Sequence, residues 1–144
     1  MTSDVCTGIE IVKKDAINDF KVLAGDLQKQ FGTDAVRNAV HGSNGLQNKK
    51  AESDLFFSAQ NPTTAFFTNC TCAIIKPHVL KAGQAGKVID AILEEGFEIS
   101  AMQLFNLDTP TAQEFFEIYR GVLPEFIAMT DHMTTGPCLV LEVR

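Results

Sequence analysis

The chain has 144 residues, 45% hydrophobic and 21% charged, with a formal net charge of -6. That length allows one domain with a sizeable core, and the acidic balance argues against nonspecific binding to nucleic acid or to an anionic membrane surface. The opening MTSDVCTGIEIVKKD lacks the layout of a signal peptide, no apolar run approaches membrane-spanning length, and the four cysteines read as reduced thiols, so the expected location is cytoplasmic.

The elements fall into two blocks. TGIEIV (residues 7–12) reads as a strand, and KKDAINDFKVLAG as a helix with Ala16, Ile17, Phe20 and Leu23 on one face and Gly25 as its stop. DLQKQFGTD, a short strand RNAVHG and a helix through LQNKKAESDLFF complete the block, and SAQNPTTAFFTN reads as a linker around Pro62. The second block opens with the strand TCAIIK, broken by Pro77. GKVIDAILEEGF places Val88, Ile89, Ile92 and Leu93 on one helical face with Gly96 as the stop, and EISAMQLFNL alternates as a strand with Ile99, Met102, Leu104 and Leu107 as core positions. Thr109 as N-cap and Pro110 at the first helical position start TPTAQEFFEIYRG. A helix PEFIAMTDHM leads to the strand TTGPCLVLEVR. Helices packed on a sheet make the expected class α/β. The beginning CTGIEIVKKD and the end TTGPCLVLEVR share Thr-Gly, a short strand containing a glutamate (Glu10, Glu142) and a basic residue, which is the mark of an internal repeat.

Several segments together resemble the nucleoside diphosphate kinase family. AIIKPH with GKVIDAILEEGFEISAMQLF is similar to its opening strand and helix, TTGPCLVLEV to its mid-domain strand, and GTDAVRNAVHGSNGLQNKKAESDLFF to its active-site histidine segment, with the narrow signature Asn-x-x-His-Gly-Ser. The resemblance implies a ferredoxin-like α+β fold, an antiparallel sheet covered by helices, present as two partial units. Residues 1–57 would be the C-terminal part of a first unit, 58–69 a linker, and 70–144 the N-terminal part of a second.

The activity implied is transfer of the γ-phosphate of a nucleoside triphosphate to a nucleoside diphosphate through phosphohistidine, which is covalent catalysis split into two steps. By resemblance His41 is the nucleophile, Glu52 its orienting carboxylate, and Ser43 the hydroxyl supporting that pair. Asn38 and Lys21 would contact the nucleotide, Lys76 would approach the transferred phosphate, and Phe116 and Tyr119 would either stack on the base or sit in the core. His78, His132 and Cys70-x-Cys72 lack a second pair at zinc-finger spacing. The expected metal is therefore Mg2+, arriving with the nucleotide.

Departures from the family pattern imply weak or lost transfer. Where the family has a longer loop with a phosphate-contacting threonine, only DLQKQ remains; Gln28 and Lys21 stand at two arginine positions, and Glu125 replaces a base-clamping aromatic. Each lost cation or donor could cost roughly 10²–10³ in rate. The block order also raises a permuted unit in which His41 and Lys76 share one site. The alternative function is a non-catalytic docking module, because a tandem-domain member of the family is associated with centrosomes and ciliary microtubules. Expected partners are nucleoside di- and triphosphates, a homo-oligomer, or a microtubule or centrosome protein; nucleic acid and membrane are not expected.

Overall fold

A computed structural model describes residues 6–58 and 63–144 of the chain. The chain divides into two compact units, residues 1–62 and 63–144. The division falls within the predicted linker 58–69. Residues 1–5 and 59–62, on which parts of the signal-peptide and linker readings fall, lie outside the described residues.

Two helices build the described part of the first unit. α1 spans Ala16–Phe31 and α2 spans Leu46–Phe56. α1 runs through Gly25, the expected stop, because nothing interrupts its ladder there and the DLQKQ that follows is rich in good helix formers. It ends at Gly32, whose N–H bonds to the Gln28 carbonyl. A Cβ on Gly32 would lie 2.4 Å from that carbonyl oxygen, so only glycine fits. Of the predicted apolar face Leu23 remains 51% exposed, and Ala24 is the buried residue of the helix.

Neither strand predicted for this unit is present. Residues 8–12 have no ladder partner, and a lone strand leaves its backbone groups unpaired. Glu10 there is ion-paired with Lys49 at 2.7 Å. In RNAVHG, Ala39 takes a left-handed φ of 69° and the Val40 N–H bonds back to the Asn38 carbonyl, a turn that no strand can contain.

The second unit is α+β. β1 (Thr71–Ile75), β2 (Ile99–Phe105) and β3 (Cys138–Val143) form an antiparallel sheet in the order β1-β3-β2. Around it lie α3 (Pro77–Lys81), α4 (Ala85–Glu94), α5 (Thr109–Phe115) and α6 (Phe126–Met133), with a short 3-10 turn at Glu117–Tyr119. Alternation along β3 sends its residues to two cores. Leu139, Leu141 and Val143 join Ile75, packed by Val88, Ile89 and Ile92 of α4. Cys138 joins Ala112, Phe116, Phe126 and Met133. Leu93 and Leu104, both expected in the core, are 48% and 59% exposed.

Ile99 and Met102 both pack on the α4 side although three residues apart. A regular strand would put them on opposite faces. The register shift between Ile99 and Ala101 makes this possible: Ser100 is the extra residue of a bulge. Its hydroxyl donates to Glu142 Oε1 at 2.7 Å, and its carbonyl accepts from Thr64 Oγ1 at 2.6 Å, which ties residues of the predicted linker to this unit. The helix expected to start from Thr109 is capped instead by Asp108, whose carboxylate accepts from the Thr111 N–H at 2.9 Å, leaving Pro110 inside the first turn. Among the described residues no helix is long and apolar enough to cross a membrane.

Candidate functional site

His41 is reached through a sequence of turns. The Asp34 carboxylate accepts from the N–H groups of Val36 and Arg37 at 2.9 and 2.7 Å and pairs with the Arg37 guanidinium, which closes the loop after α1. Ala39 then turns the backbone. Gln28, on α1, donates from Nε2 to the Val40 carbonyl at 2.8 Å and pins the residue immediately before His41. Gly42 follows at a place where an added Cβ would come within 2.8 Å of the Phe20 ring. Glycine there lets the histidine segment lie against α1.

Across this segment stands α2 with Glu52. His41 Nε2 lies 3.1 Å from Glu52 Oε1, and Ser43 Oγ donates to Glu52 Oε2 at 2.5 Å, so both carboxylate oxygens are engaged. The pair is partly open to water, with the side chains of His41 and Glu52 56% and 33% exposed. Three of the sequence-predicted residues therefore meet in one constellation. Lys21 donates from Nζ to the Asn44 carbonyl at 3.2 Å. Together with Gln28, His41, Gly42 and Asn44 it lines a cleft of about 220 Å³. Asn38 sits at the start of the turn, its carbonyl bonded to Val40.

The charge balance follows from these contacts. The Ser43 hydrogen bond, and after it the hydrogen bond and attraction of His41, hold the Glu52 carboxyl below its ordinary 4.5. An ionised carboxylate only accepts, so Nε2 of His41 is the donor to Glu52, and in the neutral ring Nδ1 then holds the lone pair. Because the folded value is depressed, the stabilisation linked to Glu52 is present above pH 4.5 and is lost as pH falls through the lower, folded value. Ser43→Ala should move the Glu52 titration back up toward 4.5, read by carboxyl-carbon NMR; an unchanged midpoint would remove Ser43 from this role.

In the second unit, Lys76 directly follows β1 and precedes Pro77, the buried first residue of α3. Its side chain lines a mostly apolar cleft of about 200 Å³ with Cys72, Ile74, Phe115, Phe116 and Met133. Phe116 is 6% exposed and belongs to the core, whereas Tyr119 is 38% exposed, its ring centroid 6.2 Å from that of Phe116. Gln28 as the anchor of the histidine turn was not foreseen; its partner lies 12 residues on, and no local spacing signals it.

Comparison with known proteins shows the family. Residues 69–144 match the family model described as "NDK: Nucleoside diphosphate kinase". The whole chain is 39% identical over 161 residues to a protein of Rattus norvegicus named nucleoside diphosphate kinase homolog 7, covering 41% of it, and 38% identical to the Mus musculus protein of that name, again covering 41%. The chain thus spans about two-fifths of the length of these curated relatives. Both alignments are longer than the chain, so the relatives carry residues with no counterpart here. Among solved structures, the nucleoside diphosphate kinase of Aquifex aeolicus aligns with a TM-score of 0.49 and 31% identity over 51% of this chain and 52% of that one. The chain belongs to the nucleoside diphosphate kinase family.

Proposed function

We propose that this chain transfers the γ-phosphate of a nucleoside triphosphate to a nucleoside diphosphate through a phosphohistidine at His41. The observation supporting this reading is the grip of Glu52 on Nε2, backed by Ser43, which leaves Nδ1 as the nucleophile. In the first half-reaction Nδ1 attacks the γ-phosphorus, a N–P bond forms, the bond to the β-phosphate oxygen breaks, and the diphosphate leaves. Glu52 stabilises the positive charge the ring gains, without taking its proton. An acceptor diphosphate reverses these steps with its own terminal oxygen. Mg2+ enters as part of the nucleotide substrate and neutralises phosphate charge.

Lys21 and Asn38 are the proposed nucleotide contacts beside His41, and Lys76 the proposed phosphate contact of the second unit, with Tyr119 near its cleft. Turnover is slow in this reading, because Gln28 supplies an amide where the family has a cation, and phosphoryl transfer depends on positioning and charge.

Exposed apolar side chains favour a second reading, a docking module for a centrosomal or ciliary microtubule partner: Val12, Val36 and Leu46 are 91%, 88% and 79% exposed. Incubation with γ-labelled ATP and Mg2+ separates the two. Acid-labile label that a nucleoside diphosphate then removes is the expected result. A folded protein that takes up no label would overturn the enzyme reading and leave docking, to be followed by co-sedimentation with microtubules.

A further inference from the structure

His78 and His132 have no part in the chemistry above, yet they are 54 residues apart in sequence and their rings meet: Nδ1 of His78 lies 2.9 Å from Nε2 of His132. The ring centroids are 4.9 Å apart, with planes tilted by 52°. Both rings stand on well-anchored backbone. His78 follows the buried Pro77 in the first turn of α3, and its carbonyl accepts from the Ala82 N–H at 3.0 Å. His132 precedes Met133, 1% exposed, in the last turn of α6, and its carbonyl accepts from Thr135 Oγ1 at 2.7 Å. A Cβ on Gly136 would lie 3.8 Å from the Pro77 Cβ, so the turn after α6 packs against the start of α3. The fold therefore holds the two backbones side by side, and the hydrogen bond sets the separation of the rings.

We propose that His78 and His132 form a two-point site for a divalent transition-metal ion of the nickel, copper or zinc class. Imidazole is a preferred ligand of these ions. Metal–nitrogen bonds of roughly 2.0–2.1 Å at a right angle put the two nitrogens about 2.9 Å apart, the cis spacing of square-planar and octahedral ions; a tetrahedral ion needs about 3.4 Å. The observed separation equals the cis spacing of the first class. Both rings must turn by about 45° from the hydrogen bond so that their lone pairs meet at the ion, and a tetrahedral ion needs slightly more opening as well. The existing hydrogen bond means that one of the two facing nitrogens already presents a lone pair. For the other to do so, its proton moves to the far nitrogen of the same ring.

Among the described residues no group of three or more His, Cys, Asp or Glu side chains could hold a metal. Water therefore completes the coordination shell, and the site is an exchangeable clip rather than a closed structural centre. Its effect on the fold follows from linkage. The unfolded chain does not hold two imidazoles 54 positions apart together, so the ion binds the folded unit preferentially and stabilises it. The clip would fasten α3, which starts directly after Lys76, to the end of α6.

Titration of the full chain with Ni2+ by calorimetry tests this. The expected result is one site per chain and a rise in the unfolding temperature with Ni2+ that equimolar Mg2+ does not produce. Loss of an outer partner alone costs roughly 10–100-fold in metal affinity, so His78→Ala and His132→Ala should each weaken binding by at least about tenfold, while His41→Ala leaves it unchanged. NMR of the unsubstituted chain gives a reading independent of any variant: Ni2+ should broaden the imidazole signals of His78 and His132 first. No binding, binding unchanged in both variants, or broadening that begins at His41 or at the cysteines would overturn the proposal.

Discussion

Replacing His41 with alanine should leave the protein folded and remove all acid-labile label after incubation with γ-labelled ATP. The ring is 56% exposed and belongs to neither core cluster, so losing it with its exposed pair to Glu52 should change stability by no more than about 1 kcal/mol. Label that persists in the variant would place the phosphate elsewhere. Glu52→Gln gives the finer test, because the amide keeps the shape of the carboxylate and loses its charge. A glutamine can hold either ring tautomer and cannot offset the charge of the phosphorylated ring. Preorganised partners of a developing charge contribute roughly 10²–10³ in rate, and a pair this open to water belongs at the low end, so labelling should slow by roughly 10² without disappearing. A variant as fast as the parent would reduce Glu52 to a structural partner of Ser43.

The largest expected effect on stability is at Leu141. It is 1% exposed in the central strand, opposite Ala73 on one side and Met102 on the other, with Ile75, Leu139 and Val143 in the same cluster. Leu141→Ala removes three buried carbons from the middle of that cluster, a cost of roughly 2–5 kcal/mol. Domains have about 5–15 kcal/mol in all, and about 1 kcal/mol shifts the unfolding midpoint of a domain this size by roughly 4–8 °C. The second unit should therefore melt at least about 8 °C lower, measured by circular dichroism. Leu104→Ala, at a site 59% exposed, should change little. Equal effects at the two positions would contradict the packing described for β3.

Much of the site was legible because its parts lie close in sequence. Asn38, His41 and Ser43 form one signature, and Glu52 follows on a helix whose extent, Leu46–Phe56, agrees with the expected one. The failures have physical causes. Gly25 looked like a helix stop, but a glycine ends a helix only where the backbone needs it; that position is Gly32, against the Gln28 carbonyl. TGIEIV and RNAVHG have strand-like composition, yet a strand exists only with a partner, and Ala39 cannot be extended at φ 69°. The bulge at Ser100 hid which face Ile99 and Met102 share, since period-two reasoning assumes an unbroken register. His78 and His132 could not be paired from sequence at all: what joins them is the packing of α3 and α6.

The order β1-β3-β2 has a temporal consequence. β1 and β2 share no ladder, and both bond only to β3, the last of the three to be synthesised. Until Cys138–Val143 has left the ribosome, Ile75 and Met102 have no central strand to cover them, and α4 has only part of a sheet to rest on. The sheet of the second unit then closes in one late, cooperative step, with apolar edges exposed while it waits. A nascent chain stalled just before β3 would be the form most open to chaperones and to misplaced strand pairing.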